Sequence, residues 1–211
     1  MKKYGPRWLV TLVILLGVAL VTSCLPADEW LVTEEPPTEE PTTDLSYLVD
    51  THPADVDNSE LPITPVDELH TTQPESVEVD IEQYRLTIDG VVENPLTLTY
   101  QEILTYPTVT EVVLLICPAF FADNAEWTGV AVETLLTEAE VKPEATELIF
   151  HGVDGYHSSI SLETAQESGV FLAHTVNGQV LPPEHGYPLR LVIKHHYGLE
   201  WVKWVERIIV Q

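Results

Sequence analysis

From Tyr84 onward the chain alternates short apolar runs with turn-forming residues. "YRLTIDG" (84–90) alternates and stops at Asp-Gly, which predicts a strand closed by a turn. "PLTLTY" predicts a second strand. Thr99 with Glu102 is the signature of a capping box, so a short helix is expected from there through Leu104. In "TEVVLLIC" (110–117) the apolar residues run on instead of alternating. That predicts a central strand covered on both faces. "VAVETLLTEAEV" has helical spacing, with Val132, Leu135, Leu136 and Ala139 on one face. "ATELIFHG" reads as a strand, "YHSSISLETAQ" as a short strand and a helix, and "GVFLAHTVNG" as a strand with an Asn-Gly turn. "LRLVIKHH" and "VKWVERIIV" add two strands. The fold class is α+β: a mixed β-sheet core with few short helices, over residues 61–211.

The first sixty residues follow other rules. Lys2, Lys3 and Arg7 precede an apolar run from Leu9 to Val21, which is short for a bilayer span and suits an export signal. Val21-Thr22-Ser23-Cys24 follows and resembles a bacterial lipobox, which implies a lipid anchor at Cys24 closing a signal segment 1–24. An uncleaved anchor with Cys24 as a plain thiol is the alternative. Both place the remainder outside the cytoplasmic membrane, at a periplasmic or cell-surface location. Residues 25–60, with "TEEPPTEEPTTD", offer little to bury and carry like charges, so an extended acidic tether is expected.

Charge narrows the partners. The chain has 34 acidic and 9 basic residues, a net charge of −25, which disfavours nucleic acid and anionic lipid surfaces. Beyond Arg7 the basic residues are Arg85, Lys142, Arg190, Lys194, Lys203 and Arg207, so four of the six fall within residues 190–207. Either they offset their own acidic surface as ordinary ion pairs, or they face an anion. The preceding loop "NGQVLPPEHGYPLR" is rich in Gly and Pro, and would present His185 and Arg190 together at the start of a strand.

Cys117 ends the most apolar strand, just before Pro118-Ala119-Phe120-Phe121. By itself it could be a buried structural thiol or a metal ligand. A disulfide to Cys24 would close a very long loop merely to pin a tail, which argues against it. A zinc or copper site from His151, His195 and His196 is disfavoured, because adjacent strand residues point to opposite faces.

"WTGV" after that cysteine, then "DGY", "LPPEHGYPLRLV" and "YGLEWVKWVERI", resemble in order and spacing the oxidoreductase molybdopterin-binding domain of the sulfite oxidase family. The resemblance runs from about Ile63 to Val210. It implies a molybdenum–molybdopterin cofactor, with Cys117 as the metal's thiolate ligand and Tyr156 beside the metal. It implies cofactor contacts from Gly152, His185, Arg190, Trp201, Val202 and Lys203, and from His70, Thr72 and Gln73 in the region of the family's "FxRNH"-like motif.

The sequence departs from the family in that region, which lacks Arg, and after Cys117, where an apolar Phe120-Phe121 wall stands in place of a sulfite-binding Arg. The leader carries Lys-Lys rather than the twin arginine used to export folded molybdoproteins, and no dimerisation or haem domain follows. The resemblance then implies a membrane-tethered oxidoreductase for a small substrate other than sulfite, with a separate electron-transfer partner. The alternative is a non-catalytic module that keeps the fold and binds a small anion or a partner protein.

Overall fold

The computed structural model describes residues 43–73 and 75–211. Cys24, the leader and the first half of the expected tether lie outside them. Ten strands and three short helices make up the domain: β1 (Arg85–Gly90), β2 (Leu96–Thr99), α1 (Tyr100–Ile103), β3 (Thr108–Cys117), β4 (Phe121–Ala131), α2 (Val132–Ala139), β5 (Glu147–Gly152), β6 (His157–Ser161), α3 (Leu162–Ala165), β7 (Val170–Val176), β8 (Gln179–Val180), β9 (Arg190–Ile193) and β10 (Val205–Val210). No described helix is long and apolar enough to cross a membrane.

Two sheets share one core. The first runs β2-β1-β10-β5-β6, with β1 and β10 parallel and the other pairs antiparallel. The second runs β3-β4-β7, and β7 pairs with both β8 and β9. Leu86, Ile88, Phe150 and Ile208 of the first sheet meet Val113, Leu115, Trp127 and Phe171 of the second in a single buried cluster. The α2 face expected from helical spacing, Val132, Leu135, Leu136 and Ala139, is the face that is buried. The capping box at Thr99 and Glu102 forms in both directions.

β3 differs from expectation. It is an edge strand, paired only with β4, and not a central one. Its run from Val113 to Cys117 is nevertheless wholly buried. Val113 and Leu115 point into the main core. Leu114 and Ile116 point the other way, into a second cluster with Leu45, Leu48 and Ala122, flanked by Val56, Leu61 and Tyr197. A continuous apolar run thus reports two covered faces, not two hydrogen-bonded neighbours.

The cover on that second face comes from residues assigned to the tether. Ser46–Leu48 and Pro53–Asp55 are single 3₁₀ turns, and Leu45 is 2% exposed. Ordered structure therefore reaches back at least to residue 43, ahead of the expected start at 61. The acidic composition of the segment hid a few apolar residues at the spacing needed to seal one strand. This strap is tied down by polar contacts as well. Asn58 donates from Nδ2 to the Val112 carbonyl (3.1 Å) and to Asn124 Oδ1 (2.9 Å). The Ala119 N–H, in the turn after Cys117, donates to the Val49 carbonyl (3.4 Å).

Replacing a fully packed Leu by Ala leaves a cavity as well as a lost transfer term. Leu45→Ala is therefore expected to lower unfolding free energy by about 2–4 kcal/mol, read by urea denaturation. A loss below about 0.5 kcal/mol, the size of an ordinary surface change, would show that the strap does not seal β3.

Candidate functional site

A cavity of about 140 Å³ opens where the end of β3, the start of β4, the strap's continuation at residues 70–73 and the 198–203 segment converge. Its wall brings together Cys117, Tyr156, His70, Thr72, Gln73, Arg190, Trp201 and Lys203. Three residues expected at the site lie behind this wall. His185 is 4% exposed, and its carbonyl accepts a hydrogen bond from Arg190 Nη1 (3.1 Å). Val202 is a core residue whose carbonyl accepts from the Leu191 N–H (2.8 Å). Gly152 ends β5 against the backbone of Lys203; a Cβ there would stand 2.5 Å from that residue's carbonyl oxygen.

Arg190 starts β9 and is buried among aromatic rings. Its guanidinium carbon lies 5.4 Å from the Trp127 ring centre and 5.7 Å from that of Trp201. Among the described residues no carboxylate forms an ion pair with it, and its Nε is buried without a hydrogen-bond partner. Burial lowers its pKa to about 10, and the charge of Asp123 opposes the shift only in part. Lys203 lies beside it. Burial first, and then the charge of Arg190, bring its pKa down to about 8. Its Nζ donates to the Glu184 carbonyl (3.0 Å) and to Thr71 Oγ1 (3.2 Å), and sits 4.3 Å from the Trp204 ring centre. Gly186, at φ +111°, lets the loop pass between these two side chains; a Cβ there would lie 3.1 Å from Lys203 Cβ and 3.3 Å from Arg190 Cβ. Burial and both cations depress His185 to about 4, so its ring is neutral at pH 7.

The cation cluster of the sequence is thus split in space. Lys194 pairs with Glu111 (3.0 Å) and Arg207 with Asp89 (2.7 Å). Only Arg190 and Lys203 face the cavity. Two partly desolvated cations side by side repel one another, and an anion between them relieves both.

Cys117 is a free, buried thiol whose pKa is raised by desolvation. Tyr156 donates from its hydroxyl to the Leu199 carbonyl, while its own N–H is held by Asp154 Oδ1 (3.0 Å). His70 stacks on Phe121, with ring centres 5.3 Å apart and planes at 17°. Among the described residues no group of three or more His, Cys, Asp or Glu side chains is arranged to hold a metal ion, so the His151, His195 and His196 reading gains no support.

Sequence reading missed Asp123 and Asn124. Both are buried on β4, at 1% and 0% exposure. They stitch the strap's continuation to the sheet. Asp123 accepts the His70 N–H (2.8 Å), and Asn124 exchanges hydrogen bonds with Thr64 and donates from Nδ2 to the Leu61 carbonyl (3.2 Å). Two adjacent polar residues inside a run of strand residues were the available signal, because such groups are buried only when paired.

This donor set suits a phosphate-bearing cofactor whose metal accepts a thiolate: two cations around an unpartnered guanidinium nitrogen, and one cysteine on the same cavity wall. Comparison with known proteins agrees. Residues 70–211 match the oxidoreductase molybdopterin-binding domain, so the strap precedes the matched region. An uncharacterized oxidoreductase of Bacillus subtilis (strain 168), YuiH, is 31% identical over 131 residues, 61% of this chain and 66% of that protein. An NADPH nitrate reductase of Phytophthora infestans is 35% identical over 157 residues, 60% of this chain but only 17% of that much longer protein. The crystal structure of sulfane dehydrogenase SoxCD from Paracoccus pantotrophus gives a TM-score of 0.66 at 33% identity, over 70% of this chain and 43% of that chain.

The charge state of Lys203 makes anion binding depend on pH. Its ammonium is present below about 8 and lost above it. Sulfate, which does not titrate in this range, is therefore expected to bind the cofactor-free protein more weakly as pH rises from 7 to 9.5. Lys203→Met removes that dependence; calorimetric titration reads both. Arg190→Met is expected to abolish sulfate binding, because it removes the buried guanidinium of the anion seat; the same titration reads it.

Proposed function

The chain belongs to the oxidoreductase molybdopterin-binding domain family, and from that premise we propose that it is a molybdenum–molybdopterin oxidoreductase, tethered through Cys24 outside the cytoplasmic membrane, that acts on a small neutral substrate. The observation that carries the proposal is the placement of the Cys117 thiol on the same cavity wall as the buried pair Arg190 and Lys203.

When bound, the cofactor supplies oxygen-atom and two-electron transfer at molybdenum. The chain's own residues have separable tasks. Cys117 holds the metal as a thiolate. Burial raises its pKa, so metal binding must displace a proton and is favoured by rising pH. Arg190 and Lys203 seat the phosphate. Trp127 and Trp201 keep water from the guanidinium and hold it in place. The Tyr156 hydroxyl, now on the Leu199 carbonyl, lines the same cavity and is assigned as the proton donor to a substrate oxygen.

The wall beside Cys117 supports a neutral substrate. Of the expected Phe120-Phe121 wall only Phe121 lines it, joined by Leu199, because Phe120 turns outward and is 74% exposed; the cations of the cavity are assigned to the phosphate. A doubly charged anion such as sulfite would meet no third cation there. Sulfoxides and related oxygen-bearing neutral molecules fit this wall. The relatives' names, nitrate reductase and sulfane dehydrogenase, point to no common substrate, so the assignment rests on the wall itself. Electrons pass to or from a separate partner. A non-catalytic anion-binding module is the second reading, favoured by the absence of Arg from His70–Gln73.

One preparation separates the two. Protein purified from a cofactor-competent host is expected to carry stoichiometric molybdenum by metal analysis, and a pterin by fluorescence after acid oxidation. Cys117→Ser is expected to lose at least about nine-tenths of the metal while still binding sulfate, since the thiolate and the cationic seat are separate donors. Folded wild-type protein with neither metal nor pterin would leave the binding-module reading standing.

A further inference from the structure

One contact in the cavity wall has no part in holding a phosphate or a metal. His70 follows the strap into the cavity, and its side chain is 61% exposed. An exposed imidazole is normally free to rotate, but this one is held from three directions. Asp123 Oδ2 accepts its backbone N–H at 2.8 Å. Asp123 Oδ1 meets its ring Nδ1 at 2.8 Å. The Phe121 ring lies against its face. The holding carboxylate is itself 1% exposed and comes from the floor of the site, on β4. The positive charge of Arg190 faces it.

A carboxylate can only accept hydrogen bonds, so the Nδ1 that meets it must carry a proton. In the neutral ring the other nitrogen, Nε2, is then bare. His70 lines the cavity and also borders a neighbouring recess with Thr43, Asp44, Thr64 and Glu68. We propose that Asp123 is a positioning residue: it fixes His70 as the Nδ1–H tautomer, so that Nε2 is offered to the cavity as an acceptor for an N–H or O–H donor of the bound group. The identity of that donor as the pterin ring edge rests on the molybdopterin reading; the tautomer does not. Asp123 thereby does two things from one buried position. It orients an acceptor on one side of the cavity, and it partly offsets the charge of Arg190.

Asp123→Asn tests this without a loaded enzyme. The amide keeps an oxygen for the His70 N–H and turns its NH₂ toward Nδ1, which must then accept. The proton moves to Nε2, and the acceptor becomes a donor. ¹⁵N NMR of the cofactor-free full chain, at a pH where imidazole is neutral, reads the two ring nitrogens, and His70→Gln supplies the assignment. Wild type is expected to show a protonated Nδ1 and a bare Nε2, and Asp123→Asn the reverse. 6-Hydroxymethylpterin, which carries a ring edge but no phosphate, is expected to shift the wild-type Nε2 resonance. It is expected to bind Asp123→Asn about tenfold or more weakly, since a donor now faces a donor.

A wild-type ring protonated at Nε2, or one tautomer in both proteins, overturns the inference. Pterin binding of equal strength in both, with Nε2 unmoved, overturns the acceptor role alone and reduces Asp123 to a latch for the loop. Absence of 6-hydroxymethylpterin binding to both proteins overturns the acceptor role; the molybdopterin reading is decided separately, by the metal and pterin content of protein from the cofactor-competent host. If Asp123→Asn does not fold, the wild-type tautomer and the wild-type response to pterin still decide both points.

Discussion

Arg190 enters the interior at the start of β9, between Trp127 and Trp201, and among the described residues meets no carboxylate in an ion pair. Taking a guanidinium out of water is costly unless an opposite charge or a full set of hydrogen bonds replaces the lost solvent. Here one Nη1 bond to a carbonyl and two aromatic faces are provided, and Nε is left open. Lys203 adds a second partly desolvated cation beside it. Such an arrangement favours an anion between the two cations, because it relieves their desolvation and their mutual repulsion. The rest of the architecture can be understood as what holds these two cations, and the thiol on the same wall, in register.

That holding falls to the strap. The strap from residue 43 seals the outer face of β3, reaches the turn after Cys117 through Ala119, and is stitched to β4 by Asn124. It then delivers His70 to the cavity, where Asp123 takes hold of it. Adjacent residues on a strand point to opposite faces. Asp123 and Asn124 therefore serve the cavity side and the strap side from one short stretch. Stability of the strap and geometry of the site are linked through β4, so a loosened strap is felt at Cys117 and at His70 alike.

Much of this was legible beforehand. Helical spacing identified the buried face of α2, and the Thr99–Glu102 pair announced its capping box. Cys117, Tyr156, His70, Arg190, Trp201 and Lys203 were named as candidates and line one cavity. Other features were not legible. The apolar run of β3 said that both faces were covered but not by what, because hydrophobicity reports burial and is blind to the partner. Arg190, Lys194, Lys203 and Arg207 cluster in sequence, yet Lys194 and Arg207 face Glu111 and Asp89. A count of charges along the chain cannot say which ones a strand turns inward.

The sequence by itself determined most of the elements, the fold class and the residue types that could hold an anion and a soft metal, since periodicity and local chemistry act between near neighbours; β4, whose buried Asp123 and Asn124 interrupt its apolar pattern, was not among the elements it predicted. Tertiary structure alone decided that β3 is an edge strand under a strap. It also decided that two cations and not four face the cavity, and that a buried carboxylate fifty-three positions away orients His70. These outcomes depend on contacts between residues far apart in the chain. Nothing local to either partner encodes such a contact, and only the packing of strap, strands and loop brings the two together.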